Sequence, residues 1–198
     1  MTTDRKKIQI LLAAQQLFQE RGLDEVTMED VAKAAGKGKS TLYYYFRSKE
    51  EIFNAVFEME MSEIILETIR QVNQQKGFLQ KIQTFALVKF EMIKKRRSLY
   101  TAMESGMDAA TLSRYTQMKK DVHKKYLQKE KVVMQQLLVE AIQNREIRDL
   151  DDAGLEESIY IFLAALRGMN REVFLHGENS DAYRMIPAFC SLYYRGLS

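Results

Sequence analysis

Residues Thr27 to Lys49, TMEDVAKAAGKGKSTLYYYFRSK, constrain the fold more than any other part of this chain. Thr27 stands three residues before Asp30, the spacing of a capping box, so a helix starts there. Val31, Ala34 and Ala35 give that helix a small apolar face. Gly36 ends it, because the tight turn needs a positive φ that glycine adopts without strain. Gly38 is an acceptable N-cap for a second helix over Lys39–Phe46. There Leu42 and Phe46, four residues apart, share the core face and turn the other positions outward. Two short helices joined by a glycine turn form a helix–turn–helix, whose second helix enters the DNA major groove.

The outward residues have the chemistry such a helix needs. Lys39 and Ser40 lie at its first turn, within reach of base edges or backbone. Thr41 offers a hydroxyl to phosphate and a methyl to thymine. Tyr43, Tyr44 and Tyr45 are consecutive, so they fan around the helix and cannot all be buried. Lys37 and Gly38 belong to the turn. Thr27 and Lys49 open the helices on either side, where free N–H groups favour phosphate. Net charge is only +3 (30 basic, 27 acidic residues), so local distribution carries the electrostatic case. From Lys33 to Lys49 the bases Lys33, Lys37, Lys39, Arg47 and Lys49 run without an acid.

The rest of the chain reads as helix. It has one proline, nine glycines, 46% apolar residues and no alternating β-branched run. The pattern predicts helices over about 4–21, 27–35, 39–46, 48–75, 79–97, 99–104, 115–144, 155–176 and 182–197. The expected fold is all-α, with about nine helices: a DNA-binding domain over 1–50 and a larger helical ligand-binding and dimerisation domain over 51–198. Pro187 falls inside the last pattern, as a kink or as the first turn of the helix. Cys190 is the only cysteine, so no internal disulfide forms, which fits a reducing cytoplasm. No signal-type or membrane-spanning apolar run occurs. His123 and His176 are the only histidines, and GxSxG, HExxH, P-loop and CxxC motifs are absent. These features point to no enzyme, catalytic residue, cofactor or metal.

Residues 8–53 resemble the amino-terminal domain of the tetracycline-repressor (TetR) family of bacterial transcriptional regulators. The resemblance rests on ILLAAQQLFQERG (Ile10–Gly22), T-x-x-D-V-A-x-A-A-G (Thr27–Gly36), T-L-Y-Y-Y-F (Thr41–Phe46) and S-K-E-E-I-F (Ser48–Phe53). The family's turn usually reads Ala-Gly-Val-Ser; here it is Ala35-Gly36-Lys37-Gly38, which adds a basic side chain and removes a hydroxyl.

The resemblance implies a homodimer on palindromic double-stranded operator DNA, with the last two helices forming a four-helix bundle with their copies. On these helices the implied interface residues are Ile159, Phe162, Leu166, Met169, Val173, Phe189, Leu192 and Tyr193, with Ala164, Ala165 and Gly168 allowing close approach. It also implies a pocket for a hydrophobic small-molecule effector, with Phe85, Met92, Met103, Met107, Tyr115, Met118 and Phe162 as candidates. Ligand entry would shift the fourth helix, which starts at Lys49, and release the operator, so repression is the family default. The alternatives are a helical protein-interaction module and a DNA binder with no effector.

Overall fold

A computed structural model describes residues 2–104, 109–176 and 179–198. The described residues form eight helices and no strand: α1 (Thr2–Arg21), α2 (Met28–Ala34), α3 (Lys39–Tyr45), α4 (Lys49–Val72), α5 (Phe78–Glu104), α6 (Ala109–Gln143), α7 (Asp152–His176) and α8 (Asn179–Leu197). The count falls one short of the nine predicted because 79–97 and 99–104 are one helix. Neither glycine nor proline interrupts Phe78–Glu104, so nothing there breaks the hydrogen-bond ladder.

The helix boundaries follow local chemistry. Thr27 accepts a hydrogen bond from the Asp30 N–H, and the Asp30 carboxylate accepts one from the Thr27 N–H at 2.9 Å, completing the capping box. Gly36, at φ +63°, closes α2. Its N–H donates to the Lys33 carbonyl, and the Lys37 N–H donates to the Ala32 carbonyl. This is the paired bonding of a Schellman ending. Ser48 caps α4 by accepting from the Glu51 N–H at 3.2 Å. Asp151 caps α7 by accepting from the Gly154 N–H at 2.8 Å, so that helix starts before the predicted Leu155. Pro187 lies inside α8 and is not its first turn.

The chain divides into two compact units that do not follow sequence order. The first comprises Met1–Ser62 and Lys95–Lys125. Its core holds Ile10, Ala14, Phe18, Val26, Val31, Leu42, Phe46, Ile52 and Phe53, with Tyr115 and Val122 from α6. The Tyr115 ring sits 4.5 Å from that of Phe53. Each large apolar side chain buried here contributes roughly 1.5–3 kcal/mol relative to exposure.

The second unit comprises Glu63–Lys94 and Tyr126–Ser198. Phe85 of α5 meets Phe162 of α7 at 6.0 Å, and Phe90 stacks on Phe174 at 5.2 Å. From α8, Phe189 and Tyr193 both reach the Phe162 ring. The Tyr193 hydroxyl donates to the Ser158 carbonyl at 3.0 Å, and the Arg148 N–H donates to the Leu197 carbonyl at 2.9 Å, which ties down the end of α8.

Candidate nucleic-acid interface

Helix α3 is seven residues long and is held by Leu42, fully buried, and by Phe46 just beyond its end. The opposite side is open: Lys39, Ser40, Tyr43 and Tyr44 are exposed, Tyr44 by 80%. Thr41 and Tyr45 are half-buried at the flanks. The Tyr45 ring meets the edge of Tyr44 at 5.1 Å and holds that exposed ring in place. Gly38 caps the helix in an extended conformation without a side-chain bond. Placed around this surface are exposed Thr27, half-buried Lys37, exposed Lys33 and exposed Arg47.

Two lysines are engaged within the protein. Lys39 forms an ion pair with Glu29 of α2, and this bond and charge raise its pKa above the usual lysine value. Lys49 is half-buried and donates to the Asp24 carbonyl at 3.1 Å, pinning the start of α4 to the loop after α1. Lys7 was not singled out in the sequence, yet its ammonium lies 5.7 Å from the centre of the Phe46 ring. It therefore joins the end of α3, beside exposed Arg5 and Lys6. The amino-terminal run of bases was the signal for it.

The other predicted residues separate by unit. Phe85 and Phe162 pack ring to ring in the core of the second unit, where Met92 is half-buried beside a surface groove of about 420 Å³. Tyr115 and Met118 pack in the first unit. Met107 lies outside the described residues, and Met103 outside those with described side chains. Ile159, Phe162, Leu166 and Val173 are buried in the chain's own core, while Met169, Phe189 and Tyr193 are partly buried against it. They face inward because α7 and α8 pack on each other and on α5 through these residues. Of the eight residues implied for the dimer, Leu192 is strongly exposed, at 68%.

A family model described as bacterial regulatory proteins, tetR family, matches residues 10–56, from within α1 into the start of α4. Residues 10–56 thus carry a tetR-family domain. The HTH-type transcriptional regulator YhgD of Bacillus subtilis (strain 168) is 44% identical over 64 residues, 32% of this chain and 33% of YhgD. This match thus spans about a third of that relative. The fatty acid metabolism regulator protein of the same organism is 25% identical over 150 residues, 76% of this chain and 75% of that protein. Among solved structures, the transcriptional regulator FadR from Bacillus subtilis in complex with stearoyl-CoA superposes with a TM-score of 0.62 at 20% identity. That superposition covers 96% of this chain and 99% of FadR. The tetR-type likeness thus extends beyond the reading domain as a shared fold. No described helix is long and apolar enough to cross a membrane.

Proposed function

We propose that this protein is a sequence-specific DNA-binding transcriptional regulator that works as a homodimer and releases its operator when a small molecule binds the second unit. The observation that carries this reading is the division of α3. Leu42 and Phe46 anchor it, while Lys39, Ser40, Tyr43 and Tyr44 are exposed on its opposite side. Exposed tyrosines beside lysines suit a charged, hydrogen-bonding surface such as the major groove. Thr27, Lys37, Gly38, Thr41, Tyr45 and Lys49 complete the proposed contact set, and Lys7 adds to it.

One seven-residue helix reads too few bases for a unique site, so two copies on a palindrome supply the rest. The partner surface proposed here is the outer side of α7 and α8, where Tyr160, Ile161, Leu175, Met185 and Leu192 are exposed. Repression relieved by an effector is proposed by analogy with the family, and the FadR structure with stearoyl-CoA supports a ligand-responsive second unit.

Selection of bound fragments from random duplex tests the reading. The expected product is an inverted repeat whose half-sites lie about 34–36 Å apart, or a multiple of that. Recovery of no preferred sequence, with binding insensitive to salt, overturns it.

A further inference from the structure

The cation that the sequence places at the start of α4 is partly committed within the protein. Lys49 is half-buried, and its ammonium donates to the Asp24 carbonyl at 3.1 Å. A second cation reaches the same place from α6. Arg114, in the second turn of that helix, lines a cleft of about 220 Å³ together with Lys49. Leu23, Asp24, Glu50, Tyr115 and Met118 complete the lining, and all of these residues belong to the first unit.

Tyr115 accounts for the position of Arg114. Its side chain is 2% exposed, and its ring lies 4.5 Å from that of Phe53, one turn after Lys49 on α4. This contact docks the first turns of α6 on the first turns of α4. Successive helical residues point about 100° apart, so burial of Tyr115 leaves the preceding residue at the rim of the contact. Arg114 is accordingly exposed, beside Lys49 and Glu50. The two carboxylates of the cleft leave it available to a further anion. Glu50 is held below its ordinary pKa first by its own backbone N–H and then by the Ser48 hydroxyl, while the pull of Arg114 is the smallest of these causes. Asp24 is exposed, and its bond to Lys49 comes from the backbone carbonyl.

We propose that Arg114 is a DNA-backbone contact supplied from outside the helix–turn–helix, its guanidinium sharing with Lys49 the phosphate beside the start of α4. The proposal rests on the DNA-reading surface proposed above. A guanidinium suits this task because its planar fork bonds two phosphate oxygens at once and never loses its charge. A phosphate contact carries no base information, so Arg114 adds affinity and fixes the register of the protein on the duplex without choosing the sequence.

Salt titration of duplex binding by the full-length protein decides the matter, read by fluorescence anisotropy on a random-sequence duplex and on the fragment recovered by selection. Arg114→Gln is expected to weaken both duplexes by the same factor, about two- to fivefold at low salt. It is also expected to lower the slope of log affinity against log salt by about one for each bound protomer. Arg114→Lys keeps the charge, so its slope is expected to match that of the parent protein. Lys120→Gln removes an exposed charge further along α6 and is expected to leave the slope unchanged. Equal slopes for Arg114→Gln and the parent overturn the proposal, as does an equal fall for Lys120→Gln, which traces the effect to overall charge. A changed ratio of selected to random affinity in Arg114→Gln overturns it too, because that signals a displaced α3 and not a lost phosphate contact. If the parent itself binds neither duplex in a salt-dependent way, the DNA-reading proposal fails along with this one. If the parent binds and only the Arg114 comparison is flat, the reading stands and the contact is withdrawn.

Discussion

The Lys39 ammonium is paired with the Glu29 carboxylate, so the first turn of the reading helix is tied to the helix before it. Both side chains are more than half exposed, and water and salt weaken such a pair. A phosphate or base edge nevertheless competes with Glu29 for the Lys39 ammonium. Glu29 thus sets a threshold for binding and repels the phosphate backbone as well. Glu29→Gln is expected to tighten duplex binding by about two- to fivefold at low salt, the scale of an exposed pair. Lys39→Ala is expected to weaken it and to reduce the slope of log affinity against log salt by about one. Fluorescence anisotropy across a salt series measures both; equal affinities for Glu29→Gln and the parent protein refute the threshold.

Thr27 and Asp30 give the reading motif a pH dependence with a definite sign. The Thr27 hydroxyl and backbone N–H hold the Asp30 carboxyl below the ordinary value of 3.8. A folded pKa lower than the unfolded one stabilises the protein above the unfolded value, and that stabilisation fades as pH falls through the folded pKa. The capping-box contribution is therefore full at pH 5 and above and is lost progressively below about pH 3.8. Thr27→Ala is expected to destabilise by about 1 kcal/mol at pH 7, as for other lost caps, and to cost progressively less below pH 3.8. Urea denaturation at pH 7 and pH 3 checks this; an equal loss at both removes Asp30 from the account.

Two helix ends reach the same backbone geometry with different residues. Gly36 closes α2 at φ +63°, and Arg145 closes α6 at φ +57°, each with the paired bonding of a Schellman ending. A side chain in this conformation costs about 1–2 kcal/mol, partly offset by its smaller loss of backbone freedom on folding. A Cβ at Gly36 meets nothing within 4 Å, so Gly36→Ala isolates the conformational cost. It is expected to destabilise by about 1 kcal/mol, whereas Arg145→Gly is expected to stabilise by roughly 0.5–1 kcal/mol. Thermal and urea denaturation test the opposite signs.

What could be read from the chain was local. The Thr27–Asp30 box, the Gly36 turn and the outward exposure of Lys39, Ser40 and Tyr44 depend on residues within a few positions of one another. The periodicity that placed Leu42 and Phe46 inside α3 is likewise short-range. The helix from Phe78 continues past 97, where the pattern placed its end, because neither glycine nor proline breaks it before Glu104. Residues implied for the dimer, such as Phe162 and Leu166, lie in the chain's own core. An apolar position on a helix does not reveal which neighbour covers it, whereas exposure of Ile161 and Leu192 does. Lys89 carried a signal that went unused: it is a charge on the helical stripe of Ile82, Phe85 and Ala86. Its partner Glu130 comes from another helix, and only the fold joins them.

The outer side of α7 and α8 provides the last prediction. Ile161 and Leu175 on α7, with Met185 and Leu192 on α8, are exposed large apolar groups. Gly168 and Gly196 on the same helices have no atom within 4 Å of an added Cβ, so a second backbone has room to approach. Burying these side chains against a symmetric copy removes apolar surface from water, and a charge in the middle of the patch opposes that. Leu192→Glu is expected to convert a dimer to a monomer in light scattering while leaving the helical circular dichroism intact. A half-site duplex would then be bound about as before, and the full palindrome would lose its advantage. Phe162→Ala provides the contrast: Phe162 is fully buried within the protomer, so its loss is expected to cost about 3–5 kcal/mol of stability. If Leu192→Glu remains dimeric, the partner surface lies elsewhere and the pairing of α7 and α8 with their copies is wrong.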